Sequence, residues 1–514
     1  MTPLATSHDL MTLGMVVTTA AVIAGLLARD ARLRAAAGVA VLVLAPLALL
    51  TSVTGDNESS LPHVSIPLAA AAAIAGLIGV GGVTALFMRW PRAVLPAALA
   101  TLPFRVPLEI GGQSIKLLLP LYLVIAGAVF AYAYSVVRDR APAPRAVRLL
   151  DLTLAVFLGL YAVQSAYSPD PSVATQNLCF FYAPFALLYG LAKDQRWDAK
   201  LLRSCLATLV LVALPLVFAG YIEFARRQYL ISPGGIKPSD FDPYFRVQSL
   251  FFDPNIYGRF VAIVMIAVTA LLLFTQKTAR VLVSAVVLAL LWVGLVLSES
   301  QSSFAALLAG LVALACMRWQ PKWVLGLTGA ALVLGAVFVL AFPSASGVDI
   351  SSDRGLEKST SGRFDLVNGG IDLWSNKPVF GYGSGGFASA FEKNRLAKDT
   401  PFGSASTTKS HTAPLTVAAE QGLVGLAAFI ALLIAGFAAV YRRVGLATTR
   451  PGVVARIAVA AAFTALFVHS LAYAAFIEDP LTWVMLGAAV SLAVIPRPGT
   501  EPAETETEST ESSA

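Results

Sequence analysis

Runs of roughly 15 to 23 apolar residues recur along the whole chain, each near the ~20 needed for a helix to cross the hydrocarbon core of a bilayer. They fall at about 10–28, 35–54, 66–88, 93–104, 117–136, 149–168, 174–192, 201–221, 256–275, 281–298, 303–317, 323–342, 412–440, 457–476 and 481–495. Two polar segments, 222–255 and 343–411, interrupt the series. The pattern predicts an all-α, polytopic integral membrane protein of about 12–15 transmembrane helices with two long loops. The run at 93–104 is short for a crossing, and 303–317 is marginal.

Composition agrees with that reading: 57% of the 514 residues are hydrophobic and 13% are charged, against about 25% charged in a soluble domain. Short cytoplasmic loops collect Lys and Arg, and here the basic groups occupy every second loop. They are Arg29/Arg32/Arg34, Arg89/Arg92, Arg138/Arg140/Arg145/Arg148, Lys193/Arg196/Lys200/Arg203, Lys277/Arg280, Arg318/Lys322 and Arg442/Arg443/Arg450/Arg456. One loop breaks the alternation, with Arg105 at one end and Lys116 at the other. The pattern requires 93–104 to cross, giving about fifteen crossings with the N-terminus outside, the C-terminus inside and both long loops on the outer face. The formal charge of +7 is then a consequence of topology, and no nucleic-acid partner is expected.

The chain divides into helices at 1–221, a second membrane region at 222–498 that holds both extracytoplasmic loops, and an acidic tail at 499–514 expected to be disordered and cytoplasmic. The first run lacks a basic leader and a small-residue cleavage site, so a retained helix is expected. Cys179, Cys205 and Cys316 lie inside apolar runs without metal-ligand spacing and read as structural. The middles of the runs carry no Asp, Glu, Lys or Arg, which disfavours an ion-coupled carrier.

Chemistry is therefore expected in the two loops. The first ends in Arg246 followed by Asp253-Pro254-Asn255 and Arg259. Asp-Pro-Asn before an apolar run is a helix-start signal; capping is one reading of Asp253 and Asn255, and Asn255 is also a candidate substrate-binding residue. Arg246 and Arg259 offer planar, permanently charged donors suited to phosphate oxygens; headgroup anchoring is the other reading. In the second loop, Phe364, Val367, Ile371 and Trp374 recur at helical spacing and Asn376-Lys377-Pro378 ends the pattern, so an amphipathic helix begins near Arg363. That places Arg363 in a first turn, where an anion is favoured. Gly381-Tyr-Gly383-Ser-Gly385-Gly386 reads as a tight turn, since no Gly-Lys-Ser/Thr comes after it. His411 opens the next helix at the water boundary, where its near-neutral pKa suits a general base. Glu420, nine residues on, faces away from it. His8 and His63 are expected in solvent, and His469 reads as a hydrogen-bonded packing residue.

The order Arg246…Asp253-Pro254-Asn255, then Ser300-Gln-Ser-Ser-Phe304, then Arg363…Pro378-Val-Phe-Gly-Tyr-Gly383…Phe387, then His411…Leu415…Glu420-Gln-Gly422 resembles the O-antigen ligase and polymerase-like superfamily of membrane glycosyltransferases. The resemblance runs from about Arg246 to Val490. It implies a metal-independent, inverting transfer of glycan from an undecaprenyl-pyrophosphate-linked donor to an acceptor hydroxyl at the outer face of the cytoplasmic (inner) membrane. In that pattern Arg246 and Arg363 recognise pyrophosphate and His411 activates the acceptor, which is a lipid, a protein or a glycan. Two departures stand out: Ser300-Gln301-Ser302 replaces a common Ser-Arg-Ser/Gly, and Thr412 comes after the histidine where Asn is common. Arg259 is a candidate substitute for the missing arginine. Neither a metal nor a cofactor is implied. A repeat-unit polymerase and a non-enzymatic lipid or polysaccharide transporter are the alternatives.

Overall fold

A computed structural model describes residues 3–55, 66–110, 113–140, 146–231, 245–342, 363–397, 410–442, 444, 451–473 and 475–492. Apolar runs in lipid must satisfy every backbone N–H and C=O internally, and each predicted run does so as helix. The helices are α1 (Pro3–Leu27), α2 (Ala31–Gly55), α3 (Ile66–Arg89), α4 (Val94–Thr101), α5 (Leu119–Val137), α6 (Leu149–Gln164), α7 (Pro171–Asn177), α8 (Ala183–Asp194) and α9 (Ala199–Arg226). They continue with α10 (Pro254–Phe274), α11 (Thr278–Ser298), α12 (Gln301–Arg318), α13 (Pro321–Ala341), α14 (Arg363–Asn376), α15 (Phe387–Ala397), α16 (Ala413–Tyr441), α17 (Pro451–Ser470) and α18 (Pro480–Leu492).

Among the described residues, 11 helices are long and apolar enough to cross a bilayer, or up to 12 if a bent pair counts as one span. This is an all-α polytopic membrane protein, though with fewer full-length spans than the fifteen apolar runs suggested. The shortfall has local causes. Pro91 cannot continue α3, and the chain bends by 116° between Ala73–Arg89 and Pro91–Thr101. Beyond the bend, α4 is only about 12 Å long. The run at 174–192 folds as α7, a π-helical stretch Leu178–Tyr182 and α8, and the last run yields the 13-residue α18. After α4 the chain makes a two-stranded antiparallel hairpin, β1 (Val106–Ile110) and β2 (Gln113–Leu117), with Val106 opposite Leu117.

Ion pairs draw four of the basic loops together. Arg32 pairs with Asp139, Arg34 with Asp194 and Arg92 with Asp198, gathering these loops on one face. On the opposite face the α6–α7 turn meets the second polar segment, where the Tyr167 hydroxyl donates to the Phe380 carbonyl at 2.7 Å. α10 is central: every residue from 257 to 266 is buried. α13, by contrast, buries none of its side chains.

α16 is broken at Gly422, whose φ of 64° lies in the left-handed region. The break releases backbone groups that the glycine-rich segment collects: Tyr382 N–H donates to Ala419 O (3.1 Å), Gly383 N–H to Glu420 O (2.7 Å), and Leu423 N–H to Pro378 O (2.7 Å). A Cβ on Gly381 would collide with the Glu420 carbonyl oxygen. The predicted tight turn, with positive φ at Gly381, Gly383 and Gly385, is thus a clamp that completes a broken membrane helix.

Candidate active site at the polar face

The first polar segment is tied to α9 by a buried carboxylate. Glu223, fully enclosed, accepts Leu230 N–H on one side of the segment (3.3 Å) and Gln248 and Ser249 N–H on the other (3.2 and 2.9 Å). Positive φ values at Ser249 and Phe252 then turn the chain into α10, which Asp253 caps by accepting Asn255 N–H at 2.7 Å and Ile256 N–H at 3.2 Å. Capping is the role expected of Asp253.

Arg246 lies across the start of α10. Its Nε donates to Ser298 O and its terminal nitrogen to Asn255 Oδ1, each at 3.2 Å. Asn255 Oδ1 also accepts the Ser300 hydroxyl at 2.8 Å. From Ser300 a hydroxyl network continues to Ser303 (2.8 Å) and Ser302 (3.2 Å), and Ser302 meets His469 Nε2 at 3.2 Å. His469 is hydrogen-bonded and buried, as the sequence reading expects, but it packs at the site: one end of a polar chain whose other end is Arg246.

Tyr473 joins this chain to His411. Its hydroxyl donates to Asp253 Oδ2 at 2.6 Å, and its ring centre lies 5.6 Å from His469 and 6.2 Å from His411. Burial, then the charge and hydrogen bond of Asp253, hold the Tyr473 phenol well above its ordinary pKa, so it remains a donor. His411 has φ 60°, a left-handed conformation that is strained for a non-glycine residue and is often stored at functional sites. The strain is held on both sides: Ser410 bonds Thr416 Oγ1 (2.8 Å), and Thr412 Oγ1 donates to Leu471 O (2.9 Å).

Arg259, one turn into α10, is buried and ion-paired with Asp479 at 2.5 Å, with a further bond to Ala475 O at 3.3 Å. This pairing commits Arg259 to holding the α17–α18 turn. Arg105, just beyond α4 and absent from the sequence candidates, reaches the same cluster. Burial and the like charge of Arg259 push its guanidinium below its ordinary pKa, while Asp479, Tyr473 and Asp253 act the other way. The signal in the sequence was the one loop that broke the alternation of basic residues.

The structure therefore brings Arg246, Asn255, Arg259 and His411 to one face, from two separate stretches of chain. Arg363 opens α14 as predicted, but its side chain lies outside the described residues. The inward face of α14 carries Leu366, Gly370 and Leu373, whereas Ile371 is exposed. Glu420 points away from His411, accepting Gly385 and Phe387 N–H at 3.0 and 3.3 Å. It borders a cavity of about 40 Å³ shared with Tyr161, Asn177, Tyr182, Gln421 and Glu478, room for a few waters. Asn177 at the end of α7 and Tyr182 at the end of the π-helical stretch both line that cavity.

No curated protein matches the chain. Residues 286–430 match the family model Wzy_C, described as O-antigen ligase. The matched stretch holds Ser298–Ser303, Arg363, His411 and Glu420, while the residues from 246 to 259 and 469 to 479 reach the same site only through the fold. The match covers less than a third of the chain and makes this part of it similar to the O-antigen ligase family.

Proposed function

We propose that this protein transfers a glycan from an undecaprenyl-diphosphate-linked donor to an acceptor hydroxyl at the outer face of the cytoplasmic membrane. The observation that carries the reading is the convergence of Arg246, bonded to Ser298 O and Asn255 Oδ1, with the strained His411 across Tyr473 and Asp253. The donor's polyprenyl chain stays in the bilayer and its diphosphate meets the arginines at the boundary. His411 removes the acceptor hydroxyl proton, the resulting oxygen forms a bond to the anomeric carbon, and the bond from that carbon to diphosphate breaks. Charge grows on the departing diphosphate, where Arg246 and Arg363 stabilise it with charge-assisted bonds already in place. A single displacement of this kind inverts the anomeric centre, and the arginines supply the positive charge that a divalent metal supplies elsewhere.

Spheroplasts carrying the lipid-linked glycan and given a membrane-impermeant acceptor test both chemistry and sidedness. Transfer product should form without inverting the membrane and persist in EDTA. Product only from inverted vesicles would reverse the orientation, and none from either side would remove the transferase reading. The same assay with lipid-linked glycan as the sole acceptor separates polymerase from ligase.

A further inference from the structure

α4 is a half-helix that starts at the basic-loop face, where Arg92 pairs with Asp198 at 2.9 Å, and it delivers Arg105 to the polar site near the opposite face. Arg105 is half-buried and its Nε is fully enclosed without a hydrogen-bond partner. Among the described residues its guanidinium makes no ion pair within 4 Å.

Both aspartates that act on Arg105 are already engaged. Asp253 uses one oxygen to cap α10 and the other for Tyr473. Asp479 uses one oxygen for Arg259 and the other for Leu481 N–H at 2.8 Å. Among the described residues, Arg105 is therefore a partly desolvated cation that feels the charge of a second cation, and both aspartates that act on it are taken. Burying a charge in this way is costly unless an anion completes the site. Discontinuous helices that end at membrane depth are a recurring way of presenting polar groups to a ligand.

We propose that Arg105 is a direct anion-binding group of the site and that a phosphate oxygen of a polyprenyl diphosphate docks on it. Asn255 and Ser298 orient Arg246 for the same ligand, so the two guanidiniums contact the diphosphate from different stretches of chain. Arg259 completes the arrangement indirectly by occupying Asp479, which leaves Arg105 available. The inference rests on the donor reading above, and its test separates the two.

The experiment measures binding of farnesyl diphosphate, inorganic pyrophosphate and phosphatidylglycerol vesicles to the full-length protein in detergent, alongside thermal midpoints without ligand. The wild type should bind farnesyl diphosphate, and phosphatidylglycerol should not displace it. Arg105→Gln should weaken that binding by about 10- to 150-fold, the usual effect of losing a bond between charged groups. Arg105→Lys should lose part of it, since the charge stays and the fork goes. Pyrophosphate should show the same order with lower affinity. Relief of the repulsion with Arg259 should leave the ligand-free midpoint of Arg105→Gln unchanged or raised.

Wild-type affinity in Arg105→Gln overturns the assignment, as does displacement by phosphatidylglycerol at like concentration. A lowered ligand-free midpoint in both variants makes Arg105 a structural strut and overturns it too. Failure of the wild type to bind any diphosphate overturns the donor reading itself.

Discussion

Two buried ionic clusters stand near opposite faces of this membrane bundle, and they are built on opposite rules. Near the basic loops, Lys193 donates to both oxygens of Asp151 at 2.7 and 2.6 Å, and Tyr189 adds a third bond at 2.7 Å. The Arg148 backbone N–H completes the carboxylate at 2.6 Å. One cation meets one anion, and the cluster clips α6 to α8. At the polar face, Arg105 and Arg259 stand with Asp253 and Asp479, both of which spend their oxygens on caps, Tyr473 or Arg259, while Arg246 bonds Asn255 and Ser298. A cluster closed on itself serves stability, whereas one that leaves the buried Arg105 Nε without a hydrogen-bond partner is prepared for an anionic ligand.

The sharpest way to break this contrast is to remove one member from each side. Lys193→Met leaves Asp151 buried without its cation and should cost about 3–5 kcal/mol of stability, the usual penalty for half a buried pair. The transfer rate of the protein that remains folded should not change. Chemical unfolding in detergent, combined with activity per folded molecule, checks both halves. A lowered specific rate would mean that the structural cluster is coupled to catalysis.

Arg246→Lys and Arg363→Lys should behave in the opposite way. Each retains the charge but loses the bidentate fork, so transfer should fall by roughly 10- to 150-fold, equivalent to about 1.5–3 kcal/mol. The ligand-free unfolding midpoint should stay within error of the wild type. Normal turnover and donor affinity in both variants would place phosphate recognition elsewhere in the cluster.

The helices were legible because a continuous apolar run in lipid has few alternatives to helix. The helix from Arg363 to Asn376 was equally plain from spacing and its proline stop. Its inward face was less so, because α14 carries apolar residues on more than one side and only packing against α16 selects Leu366 and Leu373 over Ile371. His469 looked like packing because its sequence neighbours are apolar. Its partner Ser302 lies 167 residues away, a separation across which no periodicity operates. Glu223 was hidden for the same reason: at the end of α9 it resembles any boundary carboxylate, and its value lies in three N–H groups supplied by later residues. Arg105 did leave a trace, an irregularity in charge alternation, but only the fold shows that the irregularity faces the site.

The central claim is that His411 performs chemistry in a cluster whose arginines perform binding. A single-turnover comparison of wild type and His411→Ala with a defined lipid-diphosphate glycan tests it most directly. The expected result is unchanged donor affinity, a transfer rate lower by about 10²–10⁴-fold, and loss of the limb on which the wild-type rate rises with pH as imidazole gives up its proton. Near-normal transfer with the same pH profile in His411→Ala would contradict it, and would return His411 to the role of a strained contact at the start of α16.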